Sequence, residues 1–206
     1  MNLTLKESLV TRSRVFSPWT AFYFLQSLLI NLGLGYPFSL LYTAAFTAIL
    51  LLLWRTLPRV QKVLVGISSL VAACYFPFAQ AYGAPNFNTL LALHSTNMEE
   101  STEILTIFPW YSYLVGIFIF ALGVIAIRRK KESEKARWNT FDSLCLVFSV
   151  ATFFVAPVQN LAWGGVFKLK DTGYPVFRFA KDVIVNNNEV IEEQERMAKL
   201  SGMKDT

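Results

Sequence analysis

Charged side chains are scarce in this sequence: Asp, Glu, Lys and Arg make up 16% of its 206 residues, whereas soluble domains carry about a quarter. The 2 cysteines are too few for a disulfide scaffold, and the 54% hydrophobic content excludes a disordered chain. His94 is the only histidine, and one histidine with scattered glutamates makes neither a zinc site nor a Ser-His-Asp triad. Glycine-rich phosphate loops are also absent. We therefore expect no catalytic centre in this chain.

Apolar residues are instead grouped in long runs. Five runs lack Asp, Glu, Lys and Arg in their interiors, and each approaches the roughly 20 helical residues that cross a hydrocarbon core. In lipid the backbone amides must be bonded within their own segment, which favours helix. A soluble bundle would show polar residues at every third or fourth position. The sequence therefore predicts an all-α integral membrane bundle of five transmembrane helices, at 15–34, 38–54, 63–81, 110–127 and 141–158.

Lysine and arginine fall in alternate connections between these segments. The N-terminal arm and the second and fourth connections carry 12 of them, and the first and third connections carry none. By the positive-inside rule the N-terminus is cytoplasmic, whereas the loop 83–109 and everything after 158 lie on the outer side of the membrane. Nucleic acid is not an expected partner, because residues 128–131 directly follow a predicted span and are expected to meet anionic lipid headgroups. The 12 residues are Lys6, Arg12, Arg14, Arg55, Arg59, Lys62, Arg128, Arg129, Lys130, Lys131, Lys135 and Arg137.

Tryptophan positions support the same topology. All 5 fall near the ends of predicted segments, where an indole ring is half buried and its N–H reaches water or headgroups. They are Trp19, Trp54, Trp110, Trp138 and Trp163.

The outer loop 83–109 contains the polar residues that we take as candidate binding groups. Asn97 and Glu100 have the spacing of a capping box, which predicts a short helix on the outer face. Thr96 and Glu100 would lie close together at the start of that helix, offering a hydroxyl to a phosphate oxygen and a carboxylate to an ammonium group. Such a pair suits a zwitterionic lipid headgroup. His94 is expected to be neutral and hydrogen-bonded at this interface.

The last part of the chain, 159–206, differs in composition from the predicted bundle at 1–158. Its charged residues balance, and Val183, Ile184, Val190 and Ile191 recur at roughly helical spacing. This pattern predicts an amphipathic exit helix along the outer membrane surface. Beyond it the chain reads as a linker toward a further domain.

The layout and the motif together resemble the membrane domain of bacterial phosphoethanolamine transferases of the alkaline-phosphatase superfamily. The family's outer-loop motif has the form Asn-x-x-Gln-Thr-Asn/Asp-x-x-Glu and is implicated in binding the donor lipid. Thr96, Asn97 and Glu100 match it, whereas Ala92 and Ser95 stand at the leading Asn and the Gln positions. Asn88, one helical turn before Ala92, is the candidate substitute for the leading Asn.

The resemblance implies that two domains of a longer protein have different roles. A periplasmic catalytic domain, outside this chain, would hold zinc and transfer phosphoethanolamine from phosphatidylethanolamine to an acceptor, osmoregulated periplasmic glucan being the acceptor implied. This chain would anchor that domain and present the donor lipid. The alternative is a stand-alone small transporter or assembly subunit, for which Pro77 would break the third helix and Gln26, Asn31 and Gln80 are the polar candidates.

Overall fold

The computed structural model describes residues 18–95, 106, 108–129, 140–163 and 173–202. Within these ranges the chain is helical and contains no strand, which confirms the all-α prediction for them. The helices are α1 (Pro18–Gly33), α2 (Leu40–Thr56), α3 (Pro58–Tyr82), α4 (Phe87–Ser95), α5 (Trp110–Arg128), α6 (Thr140–Ala162) and α7 (Pro175–Gly202).

Three of these helices are long and apolar enough to cross a membrane, namely α3, α5 and α6. Helix α2 is apolar but has 17 residues, a length of about 25 Å at 1.5 Å per residue, against a hydrocarbon core of about 30 Å. The described part of α1 has 16 residues. The five-span topology therefore stays a prediction.

The bundle interior combines large buried side chains, such as Tyr23 and Phe46, with small residues at the closest contacts between helices. Helices α3 and α5 share the most extensive interface, and α2 packs on α6, while α1 contacts α2, α3 and α5. Small residues face the interfaces: a Cβ on Gly116 would lie 2.7 Å from the Ala73 carbonyl oxygen, and one on Gly123 would lie 2.6 Å from Ser69 Cβ. Large apolar side chains such as Ile117 point outward. Membrane helices pack in this way, because small residues allow close backbone approach and lipid accepts the large ones.

Polar side chains of α1 are buried and paired with neighbouring helices. The Gln26 amide donates to Ser69 Oγ at 3.0 Å, and the Asn31 amide donates to Thr43 Oγ1 at 3.0 Å. Gln80, the third polar candidate of the transporter alternative, is exposed near the end of α3. The two amide nitrogens thus join α1 to α3 and α2, as such groups do in membrane bundles, whereas Gln26 Oε1 and Asn31 Oδ1 have no hydrogen-bond partner among the described residues.

Proline does not interrupt the helices in which it lies. Helix α3 continues through Pro77 to Tyr82, and α6 likewise continues through Pro157. The break at Pro77 that the transporter alternative invokes is therefore not present in α3. Two other prolines, Pro58 and Pro175, stand at helix starts, where the missing N–H leaves no intrahelical bond unmade.

One ion pair joins the ends of α2 and α6. Arg55 in the last turn of α2 donates to the carboxylate of Asp142 in the first turn of α6. Both side chains are largely buried, so each charge is compensated by the other. We call the end of the bundle that carries Arg55, Arg59, Lys62, Arg128 and Arg129 the basic end; the opposite end carries α4 and α7.

Candidate functional site

The α3–α5 connection forms helix α4 directly after α3. The Asn86 side chain caps it, because the Thr89 backbone N–H donates to Asn86 Oδ1 at 3.0 Å. The loop helix predicted from Asn97 and Glu100 begins later in the chain, and both residues, like Thr96, lie outside the described residues.

Helix α4 packs along α7. His94 Nε2 lies 2.8 Å from Asn187 Oδ1, so with the amide oxygen as acceptor the Nε2–H is the donor. Asn88 is exposed six positions earlier, on a different side of α4. The structure thus brings His94 into contact with the exit helix but does not bring Asn88 and His94 together.

The start of α7 is anchored in the bundle by Tyr174. Its hydroxyl donates to the Ser149 carbonyl oxygen at 2.8 Å. Its ring packs edge-on against the Tyr42 ring, with the two ring centres 5.9 Å apart. A Cβ on Gly173 would collide with the tip of the Tyr42 ring, so any larger residue would displace that ring. Burial raises the pKa of Tyr174 to about 12, and the phenol therefore stays a donor at neutral pH.

A second anchor joins α7 to the turn between α1 and α2. The Tyr36 hydroxyl donates to Asp182 Oδ2 at 2.8 Å. Arg178, one turn before Asp182, places its Nε 3.6 Å from that carboxylate oxygen and its guanidinium carbon 5.0 Å from the centre of the Tyr36 ring. Burial, and then the hydrogen bond to the carboxylate, raises the pKa of Tyr36.

The turn that carries Tyr36 is held against the end of α3. Gly35 has φ +80°, and a Cβ there would collide with the Gly83 backbone. The Tyr75 hydroxyl donates to the Gly83 carbonyl oxygen at 2.9 Å, and the Tyr75 ring packs edge-on against Phe179 of α7 at 4.9 Å. Both anchors and this aromatic contact thus position the first half of α7 on the bundle.

The Tyr36, Arg178 and Asp182 cluster, which we call the exit-helix cluster, places opposite charges side by side at the bundle end. The Arg178 side chain is 53% exposed and the Asp182 side chain 20%. A guanidinium binds phosphate oxygens through several N–H donors, and a carboxylate accepts from an ammonium group. Arg178 is therefore the exposed group of this cluster that can meet a phosphate, whereas the Asp182 carboxylate already accepts from Tyr36 and pairs with Arg178.

Sequence reasoning did not identify this cluster. Tyr36 and Asp182 are separated by 146 positions, and no local pattern relates a turn tyrosine to a helix that begins so much later. The only signal was the charge of Arg178 and Asp182 at a spacing of four on a predicted amphipathic helix.

A metal site is not formed by the described ranges. No group of three or more His, Cys, Asp and Glu side chains converges there. These residues therefore offer no ligand set for the zinc that the family resemblance implies.

Taken together, the fold is that of a membrane-helix domain with an amphipathic helix fixed to one end. Over all 206 residues the chain is 98% identical to the phosphoethanolamine transferase OpgE of Escherichia coli (strain K12). The chain spans 39% of that relative's length. This similarity confirms the resemblance to phosphoethanolamine transferases. No protein-family model matches the chain, and no solved structure matches it.

Proposed function

We propose that this chain is the membrane domain of a phosphoethanolamine transferase and that its α4–α7 end presents the donor, phosphatidylethanolamine, to a periplasmic catalytic domain. The observation that carries the proposal is the 98% identity to a phosphoethanolamine transferase over the whole chain. In this proposal residues 1–158 form five spans in the bacterial inner membrane, and 159–206 lead to the catalytic domain. The N-terminus is cytoplasmic, the C-terminus is periplasmic, zinc belongs to the catalytic domain, and periplasmic glucan is the acceptor.

The geometry supports a positioning role. A lipid headgroup lies at a fixed depth, so a catalytic domain attached through a fixed helix meets the headgroup in one plane. Helix α7 has that fixed attachment, because Tyr174 bonds to the α6 backbone and Asp182 bonds to Tyr36.

The exposed side of α7 supports a place at the membrane surface. Phe177, Ile184 and Ile191 are each at least 41% exposed and are spaced by seven residues, so they form one apolar stripe. Arg178 and Glu192 lie to one side of that stripe, as expected for a helix with its apolar face in the headgroup region and its charged face in water.

The headgroup itself would be shared between two sets of groups. Arg178 and Asp182 provide the opposite charges described above. Thr96, Asn97 and Glu100, the residues that match the family motif, follow His94 closely in sequence, and His94 contacts α7. We propose that Arg178 and Thr96 face the phosphate and that Glu100 faces the ammonium group.

Two activities measured on the full-length transferase test this role. Glu100→Ala and Thr96→Ala should each lower phosphoethanolamine transfer from the lipid about tenfold, since each removes one hydrogen bond to a charged group. Hydrolysis of a small soluble phosphodiester by the catalytic domain should stay largely intact. Asn188→Ala, an exposed neighbour of Asn187 on α7, is the matched control. Equal loss on both substrates would contradict a donor-presenting role.

The transporter alternative has less support. Transporters place ionisable groups or broken helices near the midplane. In the described parts of α1, α2, α3, α5 and α6, every Asp, Lys and Arg lies within five residues of a helix end. The reading frame discriminates the two proposals: continuation past Thr206 into a domain with zinc-ligand spacing favours the transferase, and a stop codon there favours the alternative.

A further inference from the structure

At the basic end, the Arg129 guanidinium lies close to two indole rings. Its guanidinium carbon is 4.1 Å from the centre of the Trp19 ring and 3.7 Å from that of Trp54. The three side chains come from the start of α1, the last turns of α2 and the residue after α5. Cation–π contact with two rings restricts the movement of the guanidinium, and cation–π contact leaves its N–H groups free to donate.

Two hydrogen-bond donors in this cluster have no acceptor among the described residues. They are Arg129 Nη1 and Trp54 Nε1, and both atoms are shielded from solvent. Neither group can accept a hydrogen bond, so another donor cannot satisfy them. A buried donor left without an acceptor is costly, and more so when it is charged. The cluster therefore has the chemistry of a site for an anion.

The described part of the protein does not supply that anion. Asp142 is the one described carboxylate near this end, and it accepts from Arg55; the others lie on α7, at residues 182, 189, 192, 193 and 195. Among the described residues, five basic side chains therefore stand against one carboxylate at the basic end, a surplus that attracts an anionic ligand.

The surroundings of the cluster are apolar and exposed. Leu57, Val60 and Val63 are each at least 49% exposed near the α2–α3 junction. A soluble anion gains nothing from such a surface, whereas the acyl chains of a lipid pack on it. The ligand that fits both features carries a phosphate and hydrocarbon chains.

We propose that Arg129, Trp54 and Trp19 form a binding site for the phosphate of an anionic glycerophospholipid in the leaflet at the basic end. In the bound state the side chains that now cover Arg129 Nη1 and Trp54 Nε1 move aside, the phosphate oxygens accept from these two donors, and the acyl chains lie along the exposed apolar residues. This site is at the opposite end of the bundle from the exit-helix cluster and does not depend on the proposed transferase function.

The proposal is tested by measuring how much phosphatidylglycerol the protein retains. The protein is released from nanodiscs of phosphatidylethanolamine and phosphatidylglycerol, and the bound lipid is measured by native mass spectrometry. Arg129→Gln should lower retention about tenfold, because it removes a charged donor. Arg128→Gln removes the same charge from the exposed neighbouring side chain and should change retention less than about twofold, the size expected of an exposed charge. Equal losses in the two variants would overturn the proposal, since they would indicate diffuse attraction only.

A second variant keeps the proposal falsifiable if Arg129→Gln does not fold. Trp54→Phe retains an aromatic ring for stacking but removes the Nε1 donor, and it should lower retention several-fold. Unchanged retention in Trp54→Phe would contradict the site. Added inorganic phosphate should not displace the lipid. If the protein binds inorganic phosphate and shows no preference for phosphatidylglycerol, the site is one for a free anion and the lipid assignment is overturned.

Discussion

The Tyr36 hydroxyl and the Asp182 carboxylate, 146 positions apart in sequence, are hydrogen-bonded at 2.8 Å. This contact joins the α1–α2 turn to the exit helix. The contact therefore fixes the first half of α7 to the end of the bundle that carries the α1–α2 turn.

Tyr36→Phe should loosen α7 from the bundle. The change removes one hydrogen bond to a charged acceptor while keeping the ring that packs near Arg178, so the expected cost is about 1–2 kcal/mol of docking free energy. Hydrogen exchange of residues 175–202 should accelerate, with little change in α5. Tyr82→Phe is the matched control, since Tyr82 is exposed at the same end of the bundle. Similar acceleration in both variants would show that the Tyr36 hydroxyl is not the anchor.

The same contact predicts an alkaline dependence of α7 docking. The pKa of Tyr36 is raised in the folded state, first by burial and then by Asp182, with Arg178 opposing and Tyr75 adding to the shift. Above about pH 10, where an unfolded tyrosine ionises, the docked state retains the Tyr36 proton and the undocked state loses it. The contribution of Tyr36 to the stability of the docked state should therefore be constant between about pH 6 and 9. It should decrease above about pH 10.

A spin-label distance between α7 and α3, followed against pH, measures this dependence. Tyr36→Phe should remove the part of the alkaline loss that is due to Tyr36. A loss of the same size in wild type and variant would assign the titration to other groups.

The Arg55–Asp142 pair predicts an asymmetric mutational response. Asp142→Asn leaves the largely buried Arg55 charge uncompensated and should lower the free energy of unfolding by about 3 kcal/mol. The double variant Arg55→Met/Asp142→Leu removes both charges and should cost less than Asp142→Asn alone. Unfolding in mixed micelles measures both. A double variant that is less stable than Asp142→Asn would contradict the pairing argument.

The helical architecture follows from the sequence because long apolar runs have few alternatives in lipid. Predicted segments and observed helices agree closely: the run 110–127 corresponds to Trp110–Arg128, and 63–81 lies within Pro58–Tyr82. The exit helix was also predicted, and its start at Pro175 follows from the fixed φ of proline.

The contacts between helices could not be predicted in the same way. The sequence indicated that the tryptophans lie near interfaces, but not that Trp19 and Trp54 stack on Arg129, because that contact needs three helix ends to meet. The sequence predicts a capping box at Asn97 but gives no prediction for Asn86, which caps α4 through its side chain. Local patterns identify single helices, whereas tertiary packing selects their partners.

Labelling of single cysteines in intact cells tests the central claim most directly, namely that the α4–α7 end faces the periplasm and the basic end faces the cytoplasm. With Cys74 and Cys145 replaced by alanine, cysteine is introduced at Asn188, at Asn88 or at Arg59, all of which are exposed. A membrane-impermeant maleimide should label positions 88 and 188 but reach position 59 only after the inner membrane is permeabilised. Labelling of positions 59 and 188 from the same side would contradict the account.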